Sequence, residues 1–124
     1  MTLKDGSRTA APKLTSREEF AFLADLVLKH SAGDHTFVAL QDQSGGTTRF
    51  ANNQVVQNVN ARRVSLSVSI AFDRRHGTAS TSDLSVGAVR DALRRAEAIA
   101  RVTPDDPEYL SPVPVQAYQT LPTW

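Results

Sequence analysis

The 124-residue chain contains no cysteine, which excludes disulfide bonds, thiolate metal sites and a cysteine nucleophile together and fits a reducing compartment. Aromatic residues are sparse, at 6% of the chain. Sheet domains that hold single-stranded nucleic acid stack bases on aromatic rings, and the strand-like segments here offer only Phe37, Phe50 and Phe72. An excess of one charge is also missing. Fourteen Lys and Arg stand against thirteen Asp and Glu, a formal net charge of +1, so nothing electrostatic demands a polyanionic partner. No apolar run approaches the roughly 18 residues of a membrane span, and residues 1–14 lack the apolar stretch of a signal peptide. The expectation is a cytoplasmic protein with no membrane partner. With 40% apolar and 22% charged residues, the composition is that of a globular domain with one core, too short for two.

Residues 1–14 are polar, interrupted by Gly6 and Pro12, and read as a flexible N-terminal arm. Thr15 and Ser16 each precede a glutamate, Glu18 or Glu19, by three residues, the spacing of a reciprocal helix cap. Phe20, Leu23, Ala24, Val27 and Leu28 form an apolar stripe at helical spacing, and Gly33 suits a left-handed stop. A first helix is therefore expected near residues 16–32. Phe37 to Leu40 form a short apolar run, and Asp42-Gln-Ser-Gly-Gly46 reads as a turn after it. Thr47–Ala51 and Gln54–Asn60 read as strands around Asn52-Asn53, a residue type that tolerates the positive φ of a tight hairpin.

Val64, Leu66, Val68, Ile70 and Phe72 alternate with Ser65, Ser67, Ser69 and Ala71, so every large group falls on one face of a strand. Burying those five side chains contributes about 7–15 kcal/mol before the entropy of ordering them is subtracted. This is the expected central strand. Asp73-Arg-Arg-His-Gly77 reads as a polar turn, with Thr78–Thr81 returning as a short strand. Ser82, Asp83 or Ser85 caps a second helix along Val86, Val89, Leu93, Ala96 and Ala100. Its other face carries Arg90, Asp91, Arg94, Arg95 and Glu97, which read as a solvated face. Pro104, Pro107, Pro112, Pro114 and Pro122 forbid further helix, so residues 103–124 read as a proline-rich linker or truncated exit. The expected fold is α+β: a two-layer sandwich over residues 15–102, with an antiparallel sheet of about five strands and two helices on one face.

Catalytic groups are few. His30, His35 and His76 fall at a helix end, a strand start and a turn, without the i, i+4 spacing that brings two imidazoles to one metal. Asp105, Asp106 and Glu108 lie in the proline-rich segment, where fixed acid–base geometry is not expected. Ser44-Gly45-Gly46 lacks the surroundings of a nucleophilic serine or a phosphate loop. Arg49, Arg62, Arg63, Arg74 and Arg75 beside the sheet, with Arg90, Arg94, Arg95 and Arg101 on the second helix, leave an alternative reading: a stand-alone module for an anionic partner such as nucleic acid.

Three runs carry a resemblance. Thr48-Arg-Phe-Ala-Asn-Asn-Gln-Val-Val-Gln-Asn58, Gly77-Thr-Ala-Ser-Thr-Ser-Asp-Leu84 and Ala96-Glu-Ala-Ile-Ala-Arg101 with Asp106-Pro-Glu108 follow one another in the order and spacing of the N-terminal domain of the TldD/PmbA metallopeptidase family. The resemblance spans residues 17–115. It departs from the family pattern where a tight Asp-Gly turn is usual and Asp73-Arg74-Arg75-His76-Gly77 stands instead. It implies a zinc peptidase of paired subunits, a homo- or heterodimer acting on flexible or unfolded polypeptides. It also implies that the His-Glu-x-x-x-His motif lies in a C-terminal metallopeptidase domain missing here. No His-Glu pair occurs in this sequence, so no catalytic, metal or cofactor residue carries over. The chain by itself is expected to be inactive, a fragment with a scaffolding, subunit-contact or peptide-guiding role.

Overall fold

The structure, a computed structural model, describes residues 12–122; the arm expected over 1–14 therefore lies largely outside the described residues. The elements run α1 (Arg17–His30), β1 (His35–Ala51), β2 (Gln54–Phe72), β3 (Arg75–Thr81) and α2 (Val86–Val102). The sheet is antiparallel in the order β1-β2-β3, and both helices pack on the face that presents Leu66, Val68 and Ile70. The α+β architecture and the central position of residues 64–72 agree with the alternation.

There are three strands among the described residues, not about five. The expected turn at residues 42–46 does not form: β1 runs through it, with Gln43, Ser44, Gly45 and Gly46 opposite Arg63, Arg62, Ala61 and Asn60. The segments read as separate strands on either side of residues 61–63 likewise fuse into β2. Once Asn52 and Asn53, at φ 51° and 59°, reverse the chain, each arm continues to satisfy the other's backbone groups, and polar composition alone does not stop the ladder. The turn after β2 is also shorter than expected. Asp73 takes a φ of 54°, and β3 already begins at Arg75.

Ser16 caps α1 in a reciprocal box: its hydroxyl accepts from the Glu19 N–H at 3.1 Å, and its own N–H donates to the Glu19 carboxylate at 2.7 Å. Leu23 and Val27 are buried beneath this helix and Leu26 packs beside them, whereas Leu28, expected in the stripe, faces solvent. The helix ends at Ser31 in extended conformation, and Gly33 has no positive φ. Gly33 is needed for space instead: a Cβ there would strike the Ile70 side chain. Ser85 caps α2, and its Val89, Leu93 and Ala96 close the core over Leu66, Val68, Ile70 and Ala79. Of the five alternating residues, Leu66, Val68 and Ile70 are buried; Val64 and Phe72 are half-buried, with the Arg101 guanidinium 4.8 Å above the Phe72 ring.

Candidate functional site

Among the described residues, three features of the fold stand out as surfaces for a partner. The first is the outer edge of β1. Because β1 pairs only with β2 among the described residues, alternate residues along its seventeen positions turn unpaired N–H and C=O groups outward. It is the longer of the two sheet edges, since β3 has only seven residues.

The second is a two-stranded ribbon. β3 pairs only with Leu66–Phe72, so β2 from Gln54 to Ser65 has β1 as its single neighbour, a projection of roughly 40 Å. At its base the Asp42 carboxylate, 6% exposed, takes two hydrogen bonds from Arg62, at 2.9 and 2.6 Å, and two from the Thr15 N–H and hydroxyl, both at 2.7 Å. Arg62 first and the Thr15 hydroxyl second hold the Asp42 carboxyl well below the usual carboxylate range. Further out, the Thr48 hydroxyl donates to Asn58. At the tip, Phe50, Val55 and Val56 are 71%, 58% and 61% exposed, beside a register shift between Arg49 and Phe50.

The third is the sheet face away from the helices. The register sets Phe37, Ser69 and Thr78 in one row across the three strands, and His35, Ala71 and His76 in the next. The first part of the segment after α2 is docked here. Asp106 and Arg74 exchange backbone and side-chain hydrogen bonds, Arg74 Nη2 donates to the Pro107 carbonyl at 2.6 Å, and the Tyr109 ring stacks on His76 with centroids 6.1 Å apart and planes at 18°. Together with Pro112, these rows wall a groove of about 490 Å3. Ala71, on this face by alternation, is buried, so part of the face is covered.

The residues weighed for chemistry are scattered. His30 Nδ1 is bonded to the Leu26 carbonyl at 2.8 Å, while His35 and His76 stand two strands apart, roughly 10 Å. No group of three or more His, Asp or Glu among the described residues is placed to hold a metal ion, so these residues do not fit a zinc site. Asp106 is held in place, contrary to the expectation for its segment, but its carboxylate caps the Glu108 N–H at 2.9 Å. Several arginines are engaged: Arg62 with Asp42, Arg95 with Asp91 at 3.2 Å, Arg75 with Asp105 at 3.8 Å. Glu97 does not pair along its helix but accepts the Ala32 N–H at 3.0 Å, tying the end of α1 to α2. Ser44-Gly45-Gly46 is ladder. Among the described residues no helix is long and apolar enough to cross a membrane. Sequence reasoning missed Tyr109, Pro112 and the Arg74 anchor; the only signal for them was the aromatic next to Asp106-Pro107-Glu108.

The geometry is that of a small α+β domain whose β1 edge is unpaired among the described residues. Residues 38–100 match the family described as PmbA/TldA metallopeptidase domain 1. The metalloprotease PmbA homolog of Haemophilus influenzae is 37% identical over 92 residues, which cover 73% of this chain and 20% of that protein. The crystal structure of TldE from Thermococcus kodakarensis superposes with a TM-score of 0.65 at 16% identity, over 85% of this chain and 23% of that one; this likeness is one of fold. The chain belongs to the PmbA/TldD metallopeptidase family, matching its first domain. It spans about a fifth of the length of the curated relative it matches.

Proposed function

We propose that this chain is the non-catalytic N-terminal domain of a PmbA/TldD-type metallopeptidase, and that it guides flexible polypeptide by pairing it along β1. The observation that carries this reading is the outer edge of β1, unpaired among the described residues. Backbone pairing is indifferent to side-chain sequence, which suits a peptidase of unfolded chains. Zinc and the cleaving residues belong to the larger part of such a protein. Residues 103–124 act as the connection toward it, and a second subunit completes the assembly. Titrating the 124-residue chain with an unfolded peptide while following backbone amide shifts tests this; changes scattered away from the β1 edge would count against it.

A subunit or domain contact is a second role, supported by the exposed tip of the ribbon. An isolated two-stranded hairpin is marginal in water, and Phe50, Val55 and Val56 gain by being covered. Sedimentation of the chain should show weak self-association that Phe50→Ser with Val56→Thr abolishes. The anionic-partner alternative draws less support, since Arg62, Arg74, Arg75 and Arg95 already hold carboxylates or carbonyls. A steep fall of affinity with salt would favour it.

A further inference from the structure

The groove on the sheet face away from the helices reaches the free edge of β1. Its first row ends in Phe37, 66% exposed, and a strand added beside β1 would place a fourth residue in that row. Cross-strand neighbours on one face lie within contact distance, and aromatic pairs are among the favourable ones. The far wall is the docked segment, with Tyr109 stacked on His76 and Pro112 beyond it. The polar groups on the floor make few demands, because the Ser69 and Thr78 hydroxyls are bonded to each other at 2.8 Å. Neither a carboxylate, an ammonium nor a guanidinium lines the groove, so a charged side chain would find no fixed counter-ion there.

We infer that this groove is a side-chain subsite, which takes one aromatic residue of an extended peptide paired along β1, with Phe37 as the residue that sets the preference. The inference rests on the strand-pairing role proposed above and adds selectivity to it. An aromatic ring fits better than an aliphatic chain, because Phe37, Tyr109 and two imidazoles present faces and edges for stacked or edge-on contact. Backbone pairing supplies the sequence-tolerant part of the affinity, and the groove sets which residue of a flexible chain settles opposite Phe37. A stacked nucleobase is disfavoured, since no lysine or arginine lines the groove to hold its phosphate.

The test uses the 124-residue chain and three synthetic peptides of about ten residues, enough to span both rows. They are built of Ser, Thr and Gly and differ only in a central Phe, Ser or Glu. In titrations followed by backbone amide and aromatic resonances, the Phe peptide should bind about fivefold more tightly than the other two. It should shift the His76 and Tyr109 rings as well as the β1 amides. Phe37→Ala should bring it down to the level of the Ser peptide, and Tyr109→Ala should reduce the preference with Phe37 intact, both in proteins whose amide spectra show the native fold. If all three peptides shift β1 alike with equal affinity, the subsite is overturned while strand pairing stands. If none shifts β1, both readings fall. Shifts in the groove with oligothymidylate but with no peptide would also overturn the inference.

Discussion

Arg74 and Asp106 hold each other from both sides: the Asp106 N–H donates to the Arg74 carbonyl at 2.9 Å, and Arg74 Nε donates to the Asp106 carbonyl at 3.2 Å. This pair converts the chain after α2 from a free tail into a wall of the groove. Arg74→Ala removes the side-chain half, including the 2.6 Å bond to Pro107. Because these groups are exposed, the cost to global stability should be only about 1 kcal/mol. The local effect is larger. The Tyr109 ring should leave His76, seen as loss of its ring-current shift on the His76 protons. Unchanged His76 shifts in the variant would mean that the stack is held without the anchor.

Two glycines make opposite predictions. At Gly77 on β3, a Cβ would lie 2.5 Å from both the Ala100 nitrogen and the Ala96 oxygen, backbone atoms that cannot swing aside. Gly77→Ala should therefore push α2 off the sheet and destabilise by about 1–3 kcal/mol. At Gly87 in the first turn of α2, nothing lies within 4 Å. Gly87→Ala should stabilise by up to about 1 kcal/mol through helix propensity. Urea midpoints measured side by side check both signs.

Asn52 and Asn53 both sit at positive φ, where a β-branched residue costs about 1–3 kcal/mol and glycine costs little. Asn53→Gly should leave the ribbon paired. Asn53→Val should fray it, raising amide exchange across residues 44–62 while the core amides of Leu66, Val68 and Ile70 stay protected. Uniform loss of protection in the valine variant would show that the ribbon and core unfold as one unit.

The central strand, both helices and the Asn-Asn reversal were legible because each is dictated locally, by alternation, by helical spacing or by φ, whereas the caps, Ser16 and Ser85, were each one of several candidates. What the sequence does not display is continuity. Asp42 to Gly46 has turn composition, yet a hairpin centred between Asn52 and Asn53 brings those residues opposite residues 60–64, and the ladder then holds them. The same register sets Asp42 diagonal to Arg62. Their ion pair was therefore hidden once residues 42–46 were read as a turn. Gly33 and Gly77 show a related limit, since each is required by a neighbour remote in sequence, Ile70 for one and the α2 backbone for the other. The groove depended on the docking of Tyr109, a tertiary contact that proline content argued against.

Acid should unfold the protein partly through Asp42. Its carboxyl, held by Arg62 and then by Thr15, loses its proton more readily in the folded chain than at the usual value of 3.8. A carboxyl lowered in the folded state contributes stability that is present above its unfolded pKa. As pH falls through about 4, the unfolded chain takes up the proton first, and stability declines until the folded carboxyl is protonated too, far lower. Glu19, through its bonds with Ser16, and Asp83, through those with Ser85, are lowered as well and add the same sign. Asp42→Asn should therefore be less stable than the parent at neutral pH and show a shallower decline between about pH 5 and pH 2. Urea midpoints across that range measure it, and curves that run parallel for the two proteins would refute the assignment to Asp42.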